Sequence, residues 1–494
     1  MTLALGRRAD LTLDAYYRVA WCGEPVRFEA AAVERMAASR AAFLRLLDSD
    51  EDIVIYGVTT GYGQNASIRL GPEERKLQAA RAPVPAATSF GEPLPERVTR
   101  GMVLARLANF VEGHAAITPA LAEAVAALLD GSPLPPVPAL GNGCPGEILA
   151  LSHLFLPLAE GFPLAEKDSL SLINGSPCAT ALVTDAALAA RRRLDLAVEI
   201  LALAAEALMA PLQHYDAALD SLWEDPYEAE ALRGLRHWMD GGGEDRRSYQ
   251  APVSWRIVPR VLGQSARAVA QAEEVAAVSL RAVSDNPVFI PPDPERPDPA
   301  HPNGRAFSTG GYHNAKAYPA LDNLAAAWAD LTLLCDRQTS KLLDGRVSRL
   351  PDQLLLAEGG YVGCLGMTAV ALAEQARHAA QRSFLPGSEG GGFGQNDVAV
   401  PTFQSWRNEA EAGLCLEGGL AILATVASQA FAATDREPPA RLQPLVEEVR
   451  ALVPPVREAR ALGPEVERLR DALTDKVYER VPETAAASLA APQN

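Results

Sequence analysis

Residues 179–212 constrain this chain more than any other part of it. The run is rich in Ala and Leu on most faces, and its one break of charge is Arg191-Arg192-Arg193. Ala and Leu lose little side-chain freedom in a helix, and a helix that is apolar nearly all round has to be buried in a large core. The same helical period recurs over residues 263–283, 317–343, 363–381, 404–433 and 442–473. A shorter helix is expected at 118–130, with Thr118 as cap, Pro119 in the first turn and Gly131 after the end. Helices this long and this apolar predict a central bundle, extended by oligomer contacts. With 494 residues, 48% of them hydrophobic, the chain has the material for such a core.

The breaks between these runs are equally legible. Residues 131–146 are rich in Pro and Gly and read as loop. Residues 291–304, PPDPERPDPAHPNG, can be neither helix nor central strand and read as a surface insertion. Residues 241–247 and 388–395 read as mobile loops. The expected division is a loop-rich α+β domain over 1–178, carrying the motifs, and a long-helix bundle domain over 179–494. Charge narrows the function. Lys and Arg total 45 against 62 Asp and Glu, a net charge of -17, the wrong sign for non-specific nucleic-acid binding or for anionic membranes. Six cysteines without a CxxC pair argue against a disulfide framework or a zinc ribbon, and seven histidines show no metal spacing. No signal peptide is expected, and the predicted setting is cytoplasmic.

Three glycine-bearing motifs stand out. Residues 56–66, YGVTTGYGQNA, follow a short β-type run at 52–55 and leave Tyr56 and Tyr62 as polar aromatics among tight turns. Residues 167–176, KDSLSLINGS, close a short apolar run with Asn174-Gly175. Residues 141–153, GNGCPGEILALSH, form a glycine-rich loop that opens into a helix with Glu147 in its first turn. Cys144 there would feel the positive helix end, which favours a thiolate and a nucleophile; the other reading is a small loop residue that fills space. Taken singly, each motif also reads as an ordinary turn.

In this order and spacing the three motifs resemble the aromatic amino-acid ammonia-lyase and aminomutase family, which includes histidine ammonia-lyase. Residues 250–263 (QAPVSWRIVPRVLG) resemble its strand-and-helix segment with a substrate-facing Arg. Residues 284–287 (SDNP), 310–313 (GGYH), 350–354 (LPDQL) and 395–397 (QND) also have counterparts, as do the C-terminal helices. The similarity runs from about residue 20 onward. It implies a mainly α fold: an elongated central helical bundle of the ammonia-lyase (fumarase/aspartase-like) type, with a smaller N-terminal α+β part that carries the site loops. It also implies a homotetramer whose active sites are shared between subunits. Carried over residue by residue, it makes Tyr56 the catalytic base and Arg256 the grip on a substrate carboxylate. Asn174, Gln250, Tyr312 and Gln395 become substrate-binding candidates.

The resemblance fails at the family's electrophile. That group, 4-methylideneimidazol-5-one, forms from Ala-Ser-Gly: the Gly nitrogen attacks the Ala carbonyl, and Ser loses its hydroxyl. The aligned residues here are Cys144-Pro145-Gly146. Pro145 has no β-leaving group. In the register shifted by one, where Cys144 would eliminate sulfur, the attacking nitrogen would be that of Pro145, which has no N–H. The expectation is a chain without this prosthetic group. Other family positions differ as well: a substrate-facing His aligns with Pro85, a Tyr with Val253, a Glu with Asn396 and an Asn with Gly311. Three readings stay open from sequence. One is an enzyme acting on a carboxylate-bearing, amino-acid-derived or carrier-tethered substrate by acid–base or Cys144-assisted chemistry. The second is a genuine ammonia-lyase or aminomutase. The third is a catalytically silent scaffold or partner subunit.

Overall fold

The apolar runs are helices in the structure, a computed structural model that describes residues 2–50, 52–247, 250–383 and 394–479. The principal ones are Pro177–Leu208, Val258–Arg281, Ala317–Leu343, Leu365–Ala379 and Thr402–Thr434. The fold is mainly α, as the periodicity requires. Three two-stranded ribbons supply the remaining regular structure among the described residues. Thr402–Thr434 is long and apolar enough to cross a membrane, yet 94% of its apolar window is buried inside the protein, which marks it as a core helix.

Several local expectations are corrected. The helix expected at 442–473 is two helices, Gln443–Leu452 and Gly463–Tyr478, because Pro454-Pro455 fixes φ and offers no N–H to continue the first. The helix at 118–130 is Pro119–Ala127. Thr118 sits at its N-cap without capping it, since its hydroxyl donates to Asp168 Oδ2 at 3.0 Å. Residues 131–146 are not all loop: Pro138–Leu140 pairs antiparallel with Phe90–Pro93. Residues 52–55 form no strand, and neither do residues 250–252 before the short helix Val253–Arg256. Of the triple arginine that breaks the first apolar run, Arg193 is fully buried. Most of the loop expected at 388–395 lies outside the described residues.

The chain divides into two compact units. One comprises Met1–Leu188, Ala272–Ala320 and Ser383–Trp406; the other comprises Ala189–Gln271, Leu321–Arg382 and Arg407–Asn494. Composition along the chain suggests a single cut after residue 178, whereas each unit here is assembled from three separated segments. The first unit holds the hairpin Val288–Ile290 with Arg305–Phe307, which carries the largely exposed insertion at 291–304. Phe289 of that hairpin packs edge-on to Phe43, ring centroids 5.3 Å apart, in a core with Ala42, Ile55, Val58 and Ala116.

The second unit is organised around Arg193. Its guanidinium pairs with Glu417 at 2.8 Å and Glu409 at 3.1 Å. Trp328 Nε1 donates to Glu409 at 2.8 Å, and Thr474 of the Gly463–Tyr478 helix donates to Glu417 at 2.5 Å. Burial alone would push the guanidinium down, but Glu417, Tyr478 and Glu409 together hold it above its ordinary value.

Candidate active site

Tyr56 is presented by a turn whose flanks are fixed in the core. Ile55 and Val58 are buried on either side of it. Thr59 closes the turn: its hydroxyl accepts from the Ile55 N–H at 2.8 Å and donates to the Ile53 carbonyl at 2.7 Å. Gly57 has φ +69°, and a Cβ there would stand 2.5 Å from Leu170 Cδ2, so the turn needs glycine both for its backbone and for its contact with the KDSLSLINGS segment. The Tyr56 hydroxyl accepts the Gly63 N–H at 3.0 Å.

The KDSLSLINGS segment folds as a short helix, Asp168–Ile173, ending at Asn174. It is held from below by a buried charge cluster. Lys167 Nζ pairs with Asp285 Oδ2 at 2.5 Å and donates to Ser171 Oγ at 2.8 Å. Arg106, fully buried, donates to the Asn174 carbonyl at 2.9 Å and lies 4.0 Å from Asp285 Oδ1. Burial pushes both Lys167 and Arg106 down from their ordinary values, and Asp285 opposes the shift in each. Asp285 belongs to the SDNP turn, so this cluster locks that turn under Asn174.

The CPG loop packs on the same platform. The Gly175 N–H donates to the Gly146 carbonyl at 3.1 Å. Gly146 has φ +67°, and a Cβ on it would come within 2.7 Å of Asn174 Oδ1. That oxygen is buried and makes no hydrogen bond. Glu147 follows in a left-handed conformation and turns its carboxylate away from its own helix, Ile148–Gly161. Instead it accepts the N–H groups of Cys178 at 2.6 Å and Ala179 at 2.8 Å, capping Pro177–Leu208.

These elements surround a cavity of about 710 Å³ in the first unit. Tyr56, Asn174, Tyr312 and Gln395 line it, together with Pro145, Gly146, Pro85 and Asn396. The structure therefore brings together four of the seven residues singled out from sequence. Cys144 is not among the lining residues. Gln250 and Arg256 belong to the second unit and do not line this cavity; Arg256 Nε is held by the Ala251 carbonyl at 3.1 Å.

Protonation bears on both catalytic candidates. The positive helix end does reach Cys144, since the Ile148 and Leu149 N–H groups favour its thiolate. Burial outweighs them, with Glu147 adding to it, and pushes the thiol up to about 11. Cys144 is thus a neutral thiol near pH 7, not an activated nucleophile. Alkylation by iodoacetamide at about pH 7.5 should modify the exposed Cys22 and Cys364 and spare Cys144. Rapid labelling of Cys144 in the folded protein would contradict this. The Tyr56 phenol is likewise pushed above its ordinary value by burial, with the Gly63 N–H acting against the shift. Ionisation of the phenol is therefore disfavoured unless a cation is brought beside it.

A sequence model of the family described as aromatic amino acid lyase matches residues 11–163 and 159–454. The chain belongs to the aromatic amino acid lyase family. It is 30% identical to a histidine ammonia-lyase of Deinococcus radiodurans over 382 residues, 71% of this chain and 70% of that one. A histidine ammonia-lyase of Aromatoleum aromaticum is 25% identical over 515 residues, covering 97% of this chain and 95% of the other. The fold of this lyase-family chain matches tyrosine aminomutase from Streptomyces globisporus with TM-score 0.82 at 24% identity, covering 97% and 98% of the two chains. Histidine ammonia-lyase from Trypanosoma cruzi matches with TM-score 0.82 at 22% identity, covering 98% and 96%. The Lys167–Asp285 pair and Arg106 were missed from sequence. The motifs of Lys167 and Asp285 were visible while Arg106 stood in none, and nothing local links positions 118 residues apart.

Proposed function

We propose that this aromatic amino acid lyase family member is an enzyme that works without the methylideneimidazolone electrophile, on a carboxylate-bearing, amino-acid-derived or carrier-tethered small molecule. One observation carries the reading: the cavity wall where the family places its electrophile precursor is formed by Pro145 and Gly146, after Cys144. The residues do not fit the group. Pro145 has neither an N–H for ring closure nor a β-leaving group. The proposed chemistry is acid–base elimination or isomerisation. Tyr56 supplies or removes a proton at the substrate, and Asn174 Oδ1, buried without a partner, accepts a donor group of the substrate. Tyr312 and Gln395 orient the substrate from the opposite loops.

Gln250 and Arg256 fit this reading as contributions from a neighbouring protomer of a homotetramer, with Arg256 binding the substrate carboxylate bidentately. The high Tyr56 pKa gives this a physical purpose, because a guanidinium or substrate ammonium beside the phenol favours its ionisation. Intact mass spectrometry tests the central claim. The peptide containing residues 144–146 is expected at its unmodified mass, and the native assembly at roughly four times the 52.5 kDa chain. A peptide short by the elements of water or hydrogen sulfide would restore conventional family chemistry and sink the proposal.

A further inference from the structure

The wall of the cavity opposite in charge to the rest of the chain is built by Arg75 and Arg81, from the helix Pro72–Ala79 and the turn after it. Gln78 between them donates to the Gly57 carbonyl at 2.9 Å and the Thr60 carbonyl at 3.1 Å, which fixes this wall against the Tyr56 turn. The Arg81 carbonyl accepts the Ser169 hydroxyl at 2.8 Å, tying the turn to the Asp168–Ile173 helix. Two further charged residues line the cavity, and both are already partnered: Glu166 by Arg40 at 3.2 Å and Lys167 by Asp285. Arg75 is anchored through Nε to the Leu70 carbonyl at 3.1 Å. Neither Arg75 nor Arg81 meets a carboxylate among the described residues.

In a chain of net charge -17, two guanidiniums without a carboxylate partner on one concave wall, Arg75 half-buried and Arg81 exposed, make a local positive field. Arg presents a planar fork that matches carboxylate and phosphate oxygens. The carboxylate assigned to Arg256 does not use these groups. We propose that Arg75 and Arg81 form a second anion subsite, selecting substrates that carry a further acidic group, carboxylate or phosphate, away from the reacting centre. This rests on the reading that the cavity takes a carboxylate-bearing small molecule.

Calorimetric binding of trans-cinnamate, 4-carboxycinnamate and 4-phosphonooxycinnamate to the full-length protein at low salt tests it. One or both doubly acidic probes should bind about tenfold tighter than cinnamate, the gain of one charge-assisted contact. In Arg81→Gln, and in Arg75→Gln, that preference should fall to about twofold or less, while Arg81→Lys, which keeps the charge without the fork, should retain part of it. A gain for the phosphate probe alone identifies phosphate as the second group, and a gain for both identifies a general acid subsite. If all three probes bind equally, the subsite is wrong and the cavity reading stands. A preference that survives both glutamine substitutions overturns the subsite as well. If none of the three binds, the cavity reading fails and the subsite falls with it.

Discussion

Arg193→Ala is expected to unfold or severely destabilise the second unit, at a cost of about 3–5 kcal/mol. The damage comes from two buried carboxylates losing this cation more than from the packing that the side chain supplies. Glu409 and Glu417 are both buried, and both lean on this one guanidinium, at 3.1 and 2.8 Å. Truncating Arg193 takes away the cation that both hydrogen-bond, while Trp328 still donates to Glu409 and Thr474 to Glu417. The fold would have to protonate them or open. Arg193→Lys should also destabilise, because a single ammonium cannot replace a fork that serves two acceptors. Combining Arg193→Met with Glu409→Leu and Glu417→Leu should recover most of the stability, since an apolar replacement of a buried ionic group is often neutral. Thermal melting of the three variants beside the parent checks this. A melting temperature for Arg193→Ala within a degree or two of the parent would show the cluster to be energetically idle.

The second large effect concerns Glu147 and pH. Burial raises its carboxyl to about 7 from the ordinary 4.5, against the pull of the Ala179 and Cys178 N–H groups and of Arg106. Below pH 4.5 both folded and unfolded chains carry the proton. Above it the unfolded chain ionises first, while the fold keeps its proton until about pH 7. In that window the unfolded state binds fewer protons, so stability is highest at the acid end and falls as pH rises, by on the order of 3 kcal/mol in all. Asp168, Glu199 and Glu206 are also raised by burial and add slopes of the same sign. A difference measurement isolates Glu147. Glu147→Gln keeps an acceptor for the Cys178 and Ala179 N–H groups and removes the titration. The melting temperature of Glu147→Gln relative to the parent should therefore rise between pH 5 and pH 8, by about 3 °C. Parallel melting curves for the two proteins across that range would mean that the carboxyl is already ionised throughout.

How much of the site was legible in sequence depends on how local its causes are. Tyr56, Asn174, Tyr312 and Gln395, candidates by family resemblance, line one cavity. Of the two readings of Cys144, burial favours the space-filling one. Sequence shows a cysteine before a helix, which argues for a thiolate, and the structure does point the Ile148 and Leu149 N–H groups at it. What sequence does not show is how much water the sulfur has given up, and that effect wins. Glu147 was placed correctly beside a helix N-terminus, but the helix it caps is Pro177–Leu208 rather than its own. A carboxylate accepts from whichever N–H groups the fold brings to it, and a left-handed backbone at Glu147 decides which those are.

By itself the sequence determined the helical class, most helix positions and a proline at position 145 of the glycine-rich loop. Periodicity, proline and the chemistry of a backbone nitrogen act within a few residues, so they can be read along the chain. Only the tertiary structure decided that Arg193 is buried, that Lys167 meets Asp285, and that Arg75 and Arg81 share a cavity wall with Tyr56. Burial and charge pairing are set by segments distant in sequence, and both energies depend on the water excluded when those segments meet.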